Sequence, residues 1–168
     1  MSRLRGARGI TLTEISIVFV LASLVMTGLL AFYLNSQAVW VDGSAQAITQ
    51  REATLLLNTI SARARASAGA LVSASPDSLH AQIALWAGAS APPESTYFYW
   101  WSAADSLVHE GYRNLNEDRG PILQSKVEIF AVHRDSLLLT VDSLRVRSSS
   151  GDRLTVGTAA AFANRGAP

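Results

Sequence analysis

The sequence predicts an α+β protein in which one long amino-terminal helix precedes a small antiparallel β-sheet domain. Three observations support this prediction. Residues 15–41 carry no charged side chain, so the first part of the helix is apolar throughout. Residues 35–68 contain no Pro and consist largely of good helix formers, so the helix continues to about residue 68. From 69 to 168, short apolar runs alternate with turn-forming residues, as in an antiparallel sheet.

The apolar stretch 15–34 is long enough to cross a membrane. Its twenty residues would span about 30 Å as a helix, which matches the hydrocarbon core of a bilayer. Arg3, Arg5 and Arg8 precede it, and no cation follows for many residues. The positive-inside rule therefore places the amino terminus in the cytoplasm and the bulk of the chain outside. A cleaved secretory signal is an alternative, because 45–47 has the small-x-small form of a cleavage site, but the apolar run is about twice the usual length.

The second half of the helix has the periodicity of a segment packed on a sheet. The predicted buried face consists of Val41, Ala45, Ile48, Leu55, Leu56, Thr59 and Ile60. Glu52 and Arg63 interrupt this face. We interpret them as side chains at its ends that reach out to water, in preference to an ion pair between subunits.

The carboxy-terminal domain, residues 69–168, is predicted to begin with a linker over 71–76 and to continue as strands. The strand candidates are 82–86, 97–101, 107–112, 127–133, 137–141, 144–147 and 154–156. The aromatic run 97–101 is interpreted as core, because alternating aromatic residues on a strand usually fill a core on one face.

Composition and motifs argue against several function classes. The chain has 14 Lys and Arg against 13 Asp and Glu, so no cationic platform for nucleic acid is expected. The absence of Cys excludes disulfides, thiolate zinc sites and cysteine nucleophiles. His80, His109 and His133 are far apart in the sequence and belong to no catalytic motif, so we expect no enzyme and no cofactor. Segment 114–120 faintly resembles a calcium loop, but it lacks the required Gly and Glu, and a polar surface loop is favoured.

Glu14 is an acidic residue placed directly against the apolar stretch. Burying an unpaired carboxylate there would cost a few kcal/mol, so a cationic partner is expected. The alternative is an interfacial carboxylate that reaches out to water.

The segment Arg8-Gly9-Ile10-Thr11-Leu12-Thr13-Glu14, followed by the apolar helix, resembles the class III signal of type IV pilins and pseudopilins. The resemblance implies a leader over 1–9, cleavage after Gly9 by a prepilin peptidase, and N-methylation of the new amino terminus at Ile10. Glu14 then corresponds to the family's glutamate, the fifth mature residue. Ile10 departs from the commoner Phe, and Thr13 from the usual aliphatic residue.

The resemblance further implies a pilin-like fold and a structural role. The mature chain would begin with a helix over 10–68 and assemble through it, with Glu14 facing the charged amine of a neighbouring subunit. The implied partners are the prepilin peptidase, other pilin or pseudopilin subunits, an inner-membrane assembly platform and membrane lipid. A looser similarity to the J-type minor pseudopilin and its pilus counterpart covers the carboxy-terminal domain. Secretion, pilus formation and DNA uptake all remain open.

A different class of function fits the same topology. The chain could be a membrane protein with an uncleaved signal anchor, whose extracytoplasmic domain binds a ligand or acts as an enzyme. In that case residues 1–9 would be retained.

Overall fold

The computed structural model describes residues 11–74, 79–86, 96–113 and 117–162, and these form one helix and eight strands. The predicted processing residues Gly9 and Ile10 lie outside the described residues. The elements are α1 (Leu12–Ala66), β1 (Gly69–Ala74), β2 (Ala81–Trp86), β3 (Thr96–Ser102), β4 (Leu107–Tyr112), β5 (Asp118–Pro121), β6 (Lys126–Arg134), β7 (Leu138–Arg147) and β8 (Arg153–Ala161). The predicted α+β layout is confirmed.

The chain divides into two compact units, Met1–Asp42 and Gly43–Pro168. In the first unit, every described residue is helical apart from Thr11, and every one is exposed. The apolar stretch of α1 is long and hydrophobic enough to cross a membrane, by length and composition. No side chain in that stretch is buried within the protein.

In the second unit, α1 contributes a stripe of buried side chains to the core. The stripe consists of Ala45, Thr49, Ala53, Leu56, Leu57, Ile60, Ser61 and Ala64. The predicted face is therefore wrong in part, because Val41, Ile48 and Leu55 are 58%, 58% and 52% exposed. The observed stripe repeats about every four residues and uses small side chains at 45, 49 and 53. Small residues allow a close approach, which leaves the larger neighbours on the flanks outside the contact.

Strands β1 to β5 form an antiparallel sheet in that order. The predicted strands 82–86, 97–101 and 107–112 are confirmed as β2, β3 and β4. The predicted linker over 71–76 is wrong, because residues 69–74 form β1. Val72 pairs with Ile83 in the register with β2 and packs against the core, and this burial outweighs the weak strand signal of the sequence.

Strands β6, β7 and β8 form a second antiparallel sheet. The sequence predicted separate strands over 137–141 and 144–147, but β7 runs through both segments. An irregularity in the pairing with β8 lies between Val141 and Leu144 and accommodates one extra residue of β7 without ending the strand. Gly157 of β8 lies opposite it, and a Cβ at this position would lie 2.8 Å from the carbonyl oxygen of Val141. Only a glycine fits that approach without a shift of the backbone.

One hydrophobic core joins the second-unit part of α1 to both sheets. Its largest fully buried members include Tyr99, Phe130, Leu56, Ile60 and Leu144. The side chains of Tyr97 and Trp101, on either side of Tyr99, are partly buried and pack against the same cluster. The interpretation of the aromatic strand as core is confirmed for these three residues.

Candidate assembly surface of the amino-terminal helix

A reciprocal set of hydrogen bonds fixes the start of α1. The backbone N–H of Thr11 donates to Glu14 Oε2 at 2.9 Å, and the Glu14 N–H donates to Thr11 Oγ1 at 3.3 Å. The Thr11 hydroxyl also donates to Glu14 Oε2, at 2.9 Å. Thr11 and Glu14 thus form a capping box, which satisfies two backbone donors that the first turn leaves without helical partners.

This capping role of Glu14 was missed in the sequence, although Thr-x-x-Glu before an apolar run is its recognised signal. The carboxylate lies in the first turn, where the helix dipole favours negative charge. Among the described residues no cation lies within ion-pair distance of it. Among the residues that the structure describes, the Glu14 carboxylate is therefore held by the N–H and the hydroxyl of Thr11, both through Oε2.

Large apolar side chains on α1 are exposed in both units. In the first unit Leu34 and Val41 are 59% and 58% exposed, and in the second unit Ile48 and Leu55 are similarly open. Each pair is separated by seven residues, close to two helical turns, so its two members lie on one side of the helix. Large exposed apolar surfaces mark contacts with other proteins or with membranes.

The charged residues that interrupt the predicted face are fixed within the second unit. Glu52 Oε2 accepts the Ser125 N–H at 3.0 Å. Arg63 Nη1 donates to the Tyr97 hydroxyl at 3.1 Å, and its guanidinium lies 4.1 Å from the centre of that ring. Both residues are only half-exposed and have partners within the unit, so the interpretation that they reach out to water is confirmed only in part. They tie α1 to the loop before β6 and to β3, so the helix is anchored in the middle of its packed segment by Glu52 and near its end by Arg63.

Next to Arg63, a partly buried hydrogen bond joins β3 to β4. The Tyr99 hydroxyl donates to Glu110 Oε1 at 3.2 Å. Burial raises the pKa of Tyr99, and the negative charge of Glu110 raises it further. Tyr99 therefore stays a neutral donor at physiological pH, and this contact is structural.

The comparisons with known proteins give no match. No protein-family model, no curated protein and no solved structure is similar to this chain.

The three histidines lie in three different surroundings. His109 bonds two carboxylates, with Nε2 2.7 Å from Asp105 Oδ2 and Nδ1 2.8 Å from Asp118 Oδ2. Burial lowers the pKa of His109, but its hydrogen bonds to the two carboxylates outweigh burial and raise the pKa overall. His133 bonds a different carboxylate, and the ring of His80 stacks on Trp101. Within the described residues no group of three His, Asp or Glu side chains is arranged so that it could hold a metal ion.

The His109 cluster also accounts for part of segment 114–120. Asp118 uses one carboxylate oxygen for His109 and accepts the Gly120 N–H with the other, at 2.7 Å. Residues 114–116 lie outside the described residues. The carboxylate of Asp118 is thus engaged inside the protein, in line with a polar loop.

A groove of about 660 Å³ lies beside α1 in the second unit. Glu52, Lys126, Arg147 and the turn between β7 and β8 line it. Its serine hydroxyls bond one another, with Ser150 Oγ donating to Ser148 Oγ at 3.1 Å. None of the three histidines is among the residues that line it.

Proposed function

We propose that this protein is a minor pilin or pseudopilin, a structural subunit that a prepilin peptidase processes after Gly9. The observation that carries the proposal is the start of α1. The capped first turn, with Glu14 at its third position, follows Gly9 and Ile10 directly and leads without a break into an exposed apolar helix. A capping box serves the start of any helix, so the proposal rests on where this carboxylate lies, five residues after Gly9 and directly against the apolar run, where an assembling helix would use its charge.

Cleavage after Gly9 changes the charge of this end of the chain. The new α-amine on Ile10 is mostly protonated at neutral pH, and N-methylation keeps the charge. A Glu14 carboxylate of a neighbouring subunit about 4 Å away would attract it by about 4 kcal/mol at an effective dielectric constant of about 20, before desolvation is subtracted. In the precursor, Ile10 is an uncharged peptide unit. Insertion into the membrane is therefore possible before cleavage, but register-specific assembly is not.

The remainder of the proposed assembly surface is apolar. The exposed side chains of the first unit face lipid before assembly and neighbouring helices afterwards. In the second unit, Ile48 and Leu55 add apolar surface on the part of α1 that the sheets leave open. The amino terminus is cytoplasmic, the second unit is extracytoplasmic, and the protein carries out no catalysis and requires no cofactor.

The test is the intact mass of the protein extracted from membranes of cells that contain a prepilin peptidase. The expected mass lacks residues 1–9 and includes one added methyl group. Gly9→Leu should leave a full-length membrane precursor, because the bulky side chain blocks the cleavage position. Gly6→Leu is the matched control, with the same change three residues earlier in the leader, and it should mature normally.

The rival proposal is an anchored extracytoplasmic binding protein or enzyme with the leader retained. The groove beside α1 is the feature that best suits it. Material from native cells that still begins at Met1, or normal maturation of the Gly9→Leu variant, would refute processing and favour this rival.

A further inference from the structure

The edge strands of the two sheets differ in how well they are covered, and β6 is a covered edge. Its Phe130 N–H donates to the carbonyl of Leu79 at 2.9 Å, and its Val127 N–H donates to the carbonyl of Ser106 at 2.8 Å. The Val127 carbonyl accepts Trp101 Nε1 at 3.1 Å. These outer backbone groups of β6 are thus already bonded within the chain.

The two edges of the five-stranded sheet are protected as well. β1 lies against β6, and its Ala70 carbonyl accepts a hydrogen bond from the guanidinium of Arg134. β5 has only four residues, of which two are charged and one is a proline. Short length, charge and proline are the usual features that prevent a foreign strand from adding to an edge.

β8 is an open edge. It has nine residues and no proline, and its one charged side chain, Arg153, reaches back to β6, where its Nε lies 2.8 Å from Glu128 Oε2. In the part of the chain that the structure describes, the backbone of β8 pairs with β7 alone. A long edge with unpaired backbone groups is a template for another strand.

A cation without an acidic partner lies beside this edge. Arg145 of β7 is opposite Thr155 of β8, and its Nε lies 3.4 Å from Thr155 Oγ1, so the guanidinium reaches toward β8. Among the described residues no carboxylate lies within ion-pair distance of Arg145. Arg147, two residues further along β7, differs, because its Nη1 lies 3.9 Å from Glu128 Oε1.

We propose that β8 binds an extended segment of a partner protein as an added strand, with a carboxylate of that segment opposite Thr155. A glutamate there would lie two strands, about 10 Å, from Arg145, which is within the joint reach of the two long side chains. Its neighbours in the segment would adjoin Leu154 and Val156, which are half-buried and pack against the core. The partner segment is thus expected to alternate, with apolar residues at these positions and polar residues, including the acid, between them.

A second copy of β8 suits this edge less well. β8 contains no acidic residue that could meet Arg145. Asp152, just before β8, accepts a hydrogen bond from Gln46, whereas the other end of the sheet reaches Ala70, beyond the end of α1, through Arg134. An antiparallel pair of β8 strands would therefore turn the packed part of α1 end for end in one copy, although both copies are expected to enter the membrane in one orientation.

The first test measures the charge contact with a synthetic peptide and the full-length protein in neutral detergent micelles. The peptide has acetylated and amidated ends and the sequence Thr-Val-Thr-Val-Glu-Val-Thr-Val-Thr. We expect saturable binding by fluorescence anisotropy. Arg145→Gln should weaken this binding about two- to fivefold, and a peptide with glutamine in place of glutamate should bind the parent and the variant equally. Arg147→Gln is the matched control, with the same change on the same face of β7, and it should have a smaller effect.

The second test measures pairing through the backbone. N-methylation removes peptide N–H donors, and donors at alternate residues of a strand point to opposite edges. Peptides N-methylated at odd or at even positions should therefore differ, with one series weakened about tenfold or more and the other much less. Circular dichroism of the protein variants checks that each is folded.

The third test uses the absence of cysteine from the chain. Ala159→Cys should form a disulfide with a peptide whose first or last threonine is replaced by cysteine, since paired Cα atoms lie about 5 Å apart. Cysteine before the glutamate reports antiparallel addition, and cysteine after it reports parallel addition. Thr140→Cys is the control, because Thr140 pairs with Ala159 from β7 and would lie about 10 Å from the same peptide residue.

Several outcomes would overturn the proposal. These are the absence of saturable binding, equal losses from Arg145→Gln and Arg147→Gln, equal losses in the two N-methylated series, and equal cross-linking of the two cysteine variants. A parent that sediments as a dimer, and that the peptide converts to monomer, would make a second copy the occupant instead. The contact is separate from assembly through α1, so none of these outcomes bears on processing after Gly9.

Discussion

In residues 12–42 of α1 every side chain is exposed, whereas residues 43–66 place eight side chains in a protein core. The exposed part is the more hydrophobic of the two, since it has no charged residue between Glu14 and Asp42. The packed part carries several charges, and small side chains such as Ala53 and Ala64 are among those it buries. Apolar content therefore does not determine which part of this helix is buried within the chain.

This difference in burial indicates which surroundings cover each part of α1. The packed part is stabilised by the two sheets of its own chain, through the shared core. The exposed part has no such cover among the described residues, and surfaces of this kind are covered by lipid or by other proteins. Substitutions in the two parts should therefore affect different properties, namely the stability of the fold in one and assembly in the other.

The largest expected effect comes from the adjacent residues Leu55 and Leu56, which are 52% and 0% exposed. Leu56→Ala should lower the free energy of unfolding of the second unit by about 2–5 kcal/mol, because it leaves a cavity in the core. Leu55→Ala should change it by less than about 0.5 kcal/mol. Denaturant titration of both variants in detergent provides the measurement. Equal losses of stability would show that the two positions are not distinguished by packing.

A smaller effect is expected in the pH dependence of the free energy of unfolding of the second unit. Because the pKa of His109 is raised above its ordinary value of 6.5, protonated His109 stabilises the fold. This contribution is complete below that value and is lost as the pH rises through the higher pKa of the folded state. The free energy of unfolding should thus fall as the pH rises above about 6.5, and His109→Asn should reduce that slope.

His133→Asn is the control for this measurement. The pKa of His133 is also raised, chiefly by its hydrogen bond to Asp142, but the side chain is far more exposed than that of His109. Solvent weakens such a pair, so His133→Asn should change the slope less than His109→Asn does. The opposite ranking would contradict the role given to the buried cluster.

Much of the fold follows from the sequence. The apolar run, most of the strands and the aromatic core strand were all indicated by composition and periodicity. The buried face of α1 was not, because Ile48 and Leu55 fit the helical period as well as Thr49 and Ala53 do, and only the approach of the sheets decides between them. β1 was missed because its burial depends on its pairing with β2, which no local pattern in 69–74 reveals.

The candidate site residues likewise include some that the sequence indicated and some that only the fold brings together. Glu14 stood out because a charge beside an apolar run is costly, and its capping partner Thr11 lies within the same short motif. The cluster of His109 with Asp105 and Asp118 could not be predicted, because a hairpin and the following strand bring its members together.

The smallest expected effect separates the two roles of Glu14. Thr11→Ala removes the cap and should cost the first turn of α1 about 1 kcal/mol, while the carboxylate keeps its charge. Glu14→Gln keeps an oxygen acceptor for the Thr11 N–H but removes the charge. If Glu14 pairs with the amine of a neighbour, Glu14→Gln should impair incorporation into filaments more than Thr11→Ala does, although it disturbs the helix less. Hydrogen exchange in the first turn and the fraction of subunit in sheared filaments measure the two effects, and a greater assembly defect in Thr11→Ala would assign Glu14 to capping alone.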